Sequence, residues 1–575
     1  MIEPRYNNLQ KLFSDRVFRI PAYQRFYSWQ SKQRSDLFSD LTKLTGVPSD
    51  QHHFMATIVC NRTTETVTVG TFEYIVHDVV DGQQRLTTLI LLLKCLEEAL
   101  PQGSMEKAEL ANTLVKRDGN LLLLQTNNAN AHFFNAFVRD GIVLSKEQIE
   151  FKSDLNLLHA IQECRRFVNL WKNNDKLNEL VRLVLHRLGF VVFDTADSRA
   201  VYTLFEVLNS RGLAVDWLDK TKSALMGKAF ELSESQSAAE ATIDNLQKHW
   251  GTLYRELARG DVLGEHVLQA TATLYYSPLD RGRPHEKEES LDALRLACGT
   301  PHDAEKISLR LVEVARILTS LQRQPEQRVV GKILHARILY VALQLAKGVS
   351  EAERWKLVQQ WERVTFRIFG LLRNDSRTRI GDYVRLGSRI IQGDSSFQTF
   401  NQIMYFIKEI GATFAIELAI EDGLLNRNIY LEQPEVCRYI LWQYEEFLAE
   451  LTGPGGTVDE IERAHIWNLR AEETLEHIYP QNPGVGWFGK LYPGQGATDD
   501  ENSRVAHRIG NLLLLPRSIN SMAGSRPFDE KKASYDKHNL RMIREVVDSD
   551  DWTLSSIEAR EAKLATWATA RWKDI

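Results

Sequence analysis

Short apolar runs stopped by proline or glycine stand toward both ends of this chain, and long stretches with three- and four-residue apolar spacing fill its middle. Near the C-terminal end, the run L-L-L-L at 512–515 stops at Pro516 and reads as a short buried strand. Residues 475–479, stopped by Pro480, read as its partner. Ser518 is placed to N-cap a helix that carries Asn520 in its first turn. Toward the N-terminus, 54–60 and 74–80 read as strands and 86–96 as a long apolar helix. Residues 155–185 repeat apolar positions at helical spacing, and from about 223 to 408 the pattern is almost wholly helical. The expected architecture is multidomain, mostly α with α+β ends, divided as 1–230, 231–450 and 451–575. The stretch L-T-G-P-G-G-T-V at 451–458 reads as the linker into the last part.

Composition narrows this picture. A chain of 575 residues exceeds what one core sustains, so several domains are expected. Its 43% hydrophobic and 26% charged residues belong to a globular chain rather than a disordered one. A net charge of −5 excludes a protein that coats nucleic acid by bulk charge, so any DNA contact must come from local patches. The five cysteines are scattered with no C-x-x-C pair, which fits a reducing cytoplasmic setting and excludes a cysteine zinc cluster. The charged residues Glu3, Arg5, Lys11, Asp15, Arg16 and Arg19 rule out a signal peptide at the start. The longest apolar runs are too short to span a bilayer, so no membrane is expected as a partner.

Three stretches carry candidate chemistry. In E-H-I-Y-P-Q at 476–481, Glu476 offers a carboxylate and His477 an imidazole, and Asn520 adds an amide oxygen. Neighbours on a strand point to opposite faces, so Glu476 and His477 share one site only if the strand bends or frays before Pro480. A hard cation takes oxygen ligands and keeps several waters, and a neutral imidazole beside it can take a proton from an attacking water. The plain alternative is a polar pair at a strand end. In F-R-I-P-A-Y-Q-R-F-Y-S-W-Q at 18–30, Tyr23, Tyr27 and Trp29 beside Gln24 and Arg25 suit base stacking and phosphate binding, or else a core edge with one salt bridge. Asp81, Gly82, Gln83, Gln84 and Arg85 then join a strand to a helix start, with Thr87 and Thr88 in the first turn, where free backbone N–H groups attract an anion. Farther on, Arg367, Arg373, Arg377, Arg379, Arg385 and Arg389 face only Asp375 and Asp382 within their stretch. They read either as a track for a DNA backbone or as a solvated face with internal ion pairs.

The C-terminal strings E-H-I-Y-P-Q, R-I-G-N-L-L-L-L-P and the Asn520 helix resemble the HNH (His-Me finger, ββα-metal) nucleases. The strings I-P-A-Y-Q-R-F-Y-S-W and D-G-Q-Q-R-L-T-T-L resemble the GmrSD-type modification-dependent restriction endonucleases, whose N-terminal core is similar to the ParB/sulfiredoxin fold. Together these strings cover roughly residues 10–230 and 430–540. The resemblance implies that His477 is the general base, Glu476 and Asn520 hold Mg²⁺ or Mn²⁺, Asn511 braces the loop, and His507 makes a metal or phosphate contact. It implies a GTP or ATP site from Asp81, Gly82, Gln83, Gln84, Arg85, Thr87, Tyr23, Gln24 and Arg25, with Asn209 and Arg211 from F-E-V-L-N-S-R-G. Tyr27, Trp29, Lys222, Arg373, Arg377 and Arg379 would sense DNA or its modification. The usual D-L-I-K ending is altered to L-D-K-T-K at 218–222, which loosens the assignment of Lys222. The function implied is an NTP-responsive endonuclease of antiphage restriction, cutting modified or phage double-stranded DNA. One HNH site cuts one strand, so a monomer would nick and a homodimer could break both strands. The alternative is an NTPase or DNA-binding signalling module whose HNH domain binds without cutting.

Overall fold

A computed structural model of the protein describes residues 4–14, 16–48, 52–116, 121–126, 131–143, 145, 148–149, 151–197, 200, 216–260, 262–425, 428–453, 456–492, 496–536 and 538–575. The chain divides into two compact units, one of residues 1–272 with 285–320 and one of 273–284 with 321–575. The helical stretch expected at 231–450 is thereby shared between them.

The first unit is built on a mixed sheet. Its strands are β1 (Arg5–Asn8), β2 (Arg16–Ile20), β3 (His53–Val69), β4 (Phe72–Asp81), β7 (Leu124–Thr126) and β8 (Leu188–Thr195), in the order β1-β8-β3-β4-β2-β7. Between them, β5 (Val115–Lys116) and β6 (Leu121–Leu122) make a separate two-stranded ribbon. β3 and β4 pair antiparallel, whereas β4 with β2, β2 with β7 and β3 with β8 are parallel. The strands read at 54–60 and 74–80 lie inside β3 and β4, which run on as an exposed ribbon whose polar residues carry no apolar signal. The helix read at 86–96 is Gln83–Ala99 and starts directly after Gly82. With the helix Lys152–Asn173 it shares one apolar core with the sheet, from Ile58 and Val79 to Leu89, Leu93, Leu158 and Ile161. The helical periodicity of 155–185 is interrupted by a turn at 174–176, resumes in the helix Leu177–Arg182 and ends in a π turn at Leu183–Arg187, which feeds β8.

In the second unit helices dominate, and its one described sheet is the hairpin of β9 (Leu475–His477) and β10 (Leu512–Leu514). The two runs are partners as expected, pairing antiparallel with His477 opposite Leu512 and Glu476 opposite Leu513. The expected helix follows as Arg517–Ala523, but Ser518 is not its cap. Pro516, extended at φ −58 and ψ 144, starts the helix and leaves Ser518 inside its first turn. Among the described residues no helix is long and apolar enough to cross a membrane. The five cysteines are free and buried.

Candidate functional site

The G-N-L string holds the hairpin together. A Cβ at Gly510 would run into the Ile557 carbonyl of the helix Leu554–Trp572, so only glycine lets the two backbones come this close. Arg560 on that helix donates to the carbonyls of Gly510 (2.8 Å) and Leu512 (2.7 Å). Asn511 is fully buried and uses all four of its amide bonds. Its oxygen accepts from the Tyr479 N–H (2.8 Å) and the Trp552 indole (3.0 Å), and its nitrogen donates to the carbonyls of Tyr479 and Ala506 (both 2.8 Å). Asn511 thus fixes the chain just after His477, at Tyr479, and just before His507, at Ala506, by backbone bonds rather than facing the imidazole.

On one face of β9, four polar side chains gather. His477 Nε2 lies 3.1 Å from His507 Nδ1, and Gln481 Nε2 lies 3.2 Å from His477 Nδ1. With the Gln481 amide nitrogen toward Nδ1, the proton of His477 sits on Nε2 and donates to His507. The Tyr430 ring packs edge-on to His477 at 4.4 Å and parallel to His507 at 5.2 Å. Burial first, then repulsion from a protonated His507 and from the Lys531 ammonium, pushes the His477 pKa down to about 3, so the imidazole is neutral at any physiological pH. Burial lowers the pKa of His507 too.

Glu476 lies on the other face of the strand, as side-chain alternation requires. The strand neither bends nor frays at this pair, so Glu476 and His477 do not share a site. Glu476 Oε1 accepts from Lys531 Nζ (2.7 Å) and from the Tyr535 hydroxyl (2.7 Å), and Lys531 also donates to the His477 carbonyl (2.6 Å). Burial pushes both partners toward neutrality, the carboxyl pKa up and the ammonium pKa down, and each charge opposes that shift in the other. Asn520 turns its amide nitrogen to the carbonyls of Glu473 (3.2 Å) and Leu475 (3.3 Å). The expected metal pair is therefore divided between different partners. A buried ammonium stands at Glu476 where a cation was expected, so the carboxylate as held does not fit a divalent metal. Among the described residues no group of three or more His, Cys, Asp or Glu side chains could hold one.

The N-terminal strings meet at the start of the helix Gln83–Ala99. Gly82 caps it at φ 95, and a Cβ there would press on Ile58 at 3.2 Å. Several residues expected to touch nucleotide or to sense DNA are committed to the scaffold. Gln84 accepts from the Ser28 N–H (2.8 Å) and donates to the Phe26 carbonyl (3.1 Å), while the Tyr27 hydroxyl is bonded to Thr88 (2.9 Å). Gln24 donates to the Val80 carbonyl (3.0 Å) and accepts from Gln83 (3.3 Å) and Lys222 (3.2 Å). Lys222 is buried and also donates to the Tyr23 carbonyl and to Asp219, so it positions this network and cannot touch DNA. Burial opposes ionisation of Asp219, but the charges of Lys222 and Arg25 overcome it and hold the carboxyl pKa below its ordinary value. The Tyr254 hydroxyl donates to Asp219 (2.5 Å), and Arg25 pairs with Asp219 (3.3 Å).

Beside that network, a narrow cavity is lined by Arg25, Tyr27, Gln83, Gln84 and Thr87. The Gln83 side-chain oxygen is buried there without a hydrogen-bond partner. Arg85, half-buried in the first helical turn, makes no hydrogen bond or ion pair with any described residue, and burial lowers its pKa while Asp81 pulls the other way. Burial raises the Asp81 carboxyl pKa. Trp29 is partly buried against the apolar core rather than presented as a stacking face. Asn209 and Arg211 lie outside the described residues.

The arginine stretch resolves toward internal pairing. Arg373 pairs with Glu432, Arg377 with Asp375 (3.0 Å), and Arg379 with Asp382 (3.3 Å). Arg367, Arg385 and Arg389 pair with Asp574, Asp382 and Asp394. Three of the five carboxylates come from outside the stretch, which is why the local charge count suggested a DNA track. Residues that the sequence reading did not single out are Tyr430, Gln481, Lys531, Tyr535 and Tyr254. Gln481 stands within a string already quoted, whereas no spacing rule joins Tyr430 to His477.

Residues 9–226 match the family model described as GmrSD restriction endonuclease, N-terminal domain. Residues 417–567 match that of GmrSD restriction endonucleases, C-terminal domain. None of the curated proteins matches the chain.

Proposed function

The chain belongs to the GmrSD restriction endonuclease family, and we propose that its C-terminal unit cuts DNA by an HNH-type reaction while its N-terminal unit binds a nucleoside triphosphate and reads the DNA. The observation that carries the cutting role is the neutral His477 imidazole, hydrogen-bonded to His507 and Gln481 on a strand that Asn511 locks in place. A neutral, oriented imidazole is what general-base activation of a water on a phosphodiester requires. With a pKa near 3 in this closed arrangement it is a weak base, so substrate binding must free one ring nitrogen and restore its basicity. No step here is routed through a metal, because Glu476 fits Lys531.

The N-terminal role is favoured by Arg85 and the Gln83 oxygen, which stand at a helix start without a hydrogen-bond partner among the described residues. A triphosphate would pair with Arg85 and with the free N–H groups of the first turn, and Gln83 could accept from a base or sugar hydroxyl. We infer that the response to nucleotide and to modified or phage DNA is set there.

Plasmid cleavage in Mg²⁺ or Mn²⁺ with and without GTP or ATP, on plain and modified DNA, tests the reading. Cleavage by wild type and its loss in His477→Ala are expected. Nucleotide turnover with no strand scission on any substrate would favour the signalling alternative.

A further inference from the structure

Tyr430 stands 47 positions before His477, outside every string that marks the site, yet its ring touches both imidazoles. It is parallel to His507 within 1° and nearly perpendicular to His477 at 81°, and the two imidazoles are themselves edge to face at 82°. His477 is bonded at both ring nitrogens, whereas among the described residues His507 is held at Nδ1 alone, and a single bond leaves its ring free to turn. An aromatic face against one ring and an edge contact to the other removes that freedom.

The platform under Tyr430 is fixed as well. It sits in the short helix Ile429–Glu432, where Ile429 is buried and Glu432 holds Arg373. Arg373 adopts φ +55, a conformation that L side chains rarely take. An arginine that the sequence offers to DNA is thus turned back to anchor the helix that carries Tyr430.

We propose that Tyr430 is a positioning residue of the cleavage site, holding His477 and His507 as one oriented pair. This rests on the reading of His477 as the base. Without the ring, the pair opens to water and His477 no longer meets the attacking water in one orientation.

Full-length Tyr430→Ala and Tyr430→Phe are compared in two ways. In single-turnover plasmid cleavage, Tyr430→Ala is expected to lower the rate of the chemical step roughly 10- to 100-fold with apparent DNA affinity little changed. Tyr430→Phe keeps the ring and should cut nearly as well as wild type. In the absence of DNA, His477 and His507 should react several-fold faster with diethylpyrocarbonate in Tyr430→Ala, read by peptide mass spectrometry, and as slowly as wild type in Tyr430→Phe. His335, buried against Phe369 and Tyr383 in the same unit, is the internal control and should stay protected throughout. Cleavage by Tyr430→Ala at or above the wild-type rate would overturn the proposal, as would unchanged modification of the imidazoles. If wild type cuts nothing, the nuclease reading fails and the modification rates alone decide on Tyr430. If His335 loses protection, the unit has unfolded, and Tyr430→Leu, which keeps the apolar bulk without the ring, takes the place of Tyr430→Ala under the same two criteria.

Discussion

At the start of the helix Gln83–Ala99, Arg85 and the Gln83 oxygen lack partners among the described residues, whereas around β9 both ring nitrogens of His477 and the Glu476 carboxylate are already bonded. A buried polar group without a partner is costly and persists where something else completes it. A buried cluster whose members satisfy one another is stable by itself and resists change. On the function proposed above, the first site would be completed by a ligand, and the second would give up internal bonds before it cuts.

The largest expected effect lies in the second site. Lys531→Met leaves Glu476 buried without its counter-charge and should cost the C-terminal unit roughly 3–5 kcal/mol in urea unfolding. A variant as stable as wild type would break the contrast. Arg85→Ala tests the other half: it should weaken triphosphate binding about 10- to 100-fold by calorimetry, since a charge-assisted bond contributes about 1.5–3 kcal/mol. Its melting temperature should fall little, because Arg85→Ala breaks no hydrogen bond or ion pair among the described residues and removes only the pull of that charge on Asp81.

Acid sharpens the comparison further. Burial holds the pKa of His477 at about 3 and those of His335 and His538 at about 4, all in the C-terminal unit. Once unfolded, each imidazole titrates near its ordinary value of about 6.5, so the unfolded chain takes up protons that the fold refuses. Their contribution to stability is intact above about pH 7 and declines as pH drops from about 6.5 toward 4. Asp81 and, in the C-terminal unit, Glu476 have their folded pKa raised by burial, so their contributions run the other way, weakening as pH rises above about 4. Urea unfolding of the C-terminal unit between pH 8 and 5 should show the decline, and His335→Phe should flatten it. The smallest effect belongs to Arg377→Ala: its partner Asp375 is an exposed neighbour, and neither stability nor DNA affinity should change measurably. A clear loss of DNA affinity would restore the arginine track.

Much of this was legible in the chain. The apolar runs ending at Pro480 and Pro516 announced the hairpin, and D-G-Q-Q-R announced a strand, a glycine cap and a helix start. What sequence could not supply was the second partner. Alternation warned that Glu476 and His477 face apart, but only the packed helix Phe528–Tyr535 shows Lys531 and Tyr535 taking the carboxylate. Gln24, Gln84 and Lys222 look like ligand-binding residues by type, and burial turns each inward. Tyr430 and the carboxylates of Glu432 and Asp574 reach their partners through tertiary contacts that no local spacing encodes.

The most direct test sets His477→Ala and Arg85→Ala side by side, each assayed for triphosphate binding and for DNA cleavage in Mg²⁺. His477→Ala should bind nucleotide as wild type does and lose about 10²- to 10⁴-fold in cleavage rate, the usual contribution of a general base. Arg85→Ala should bind nucleotide about 10- to 100-fold more weakly, with the nucleotide response reduced to match, while its cutting centre stays intact. Wild-type cleavage by His477→Ala, or wild-type nucleotide binding by Arg85→Ala, would contradict the division of labour drawn here.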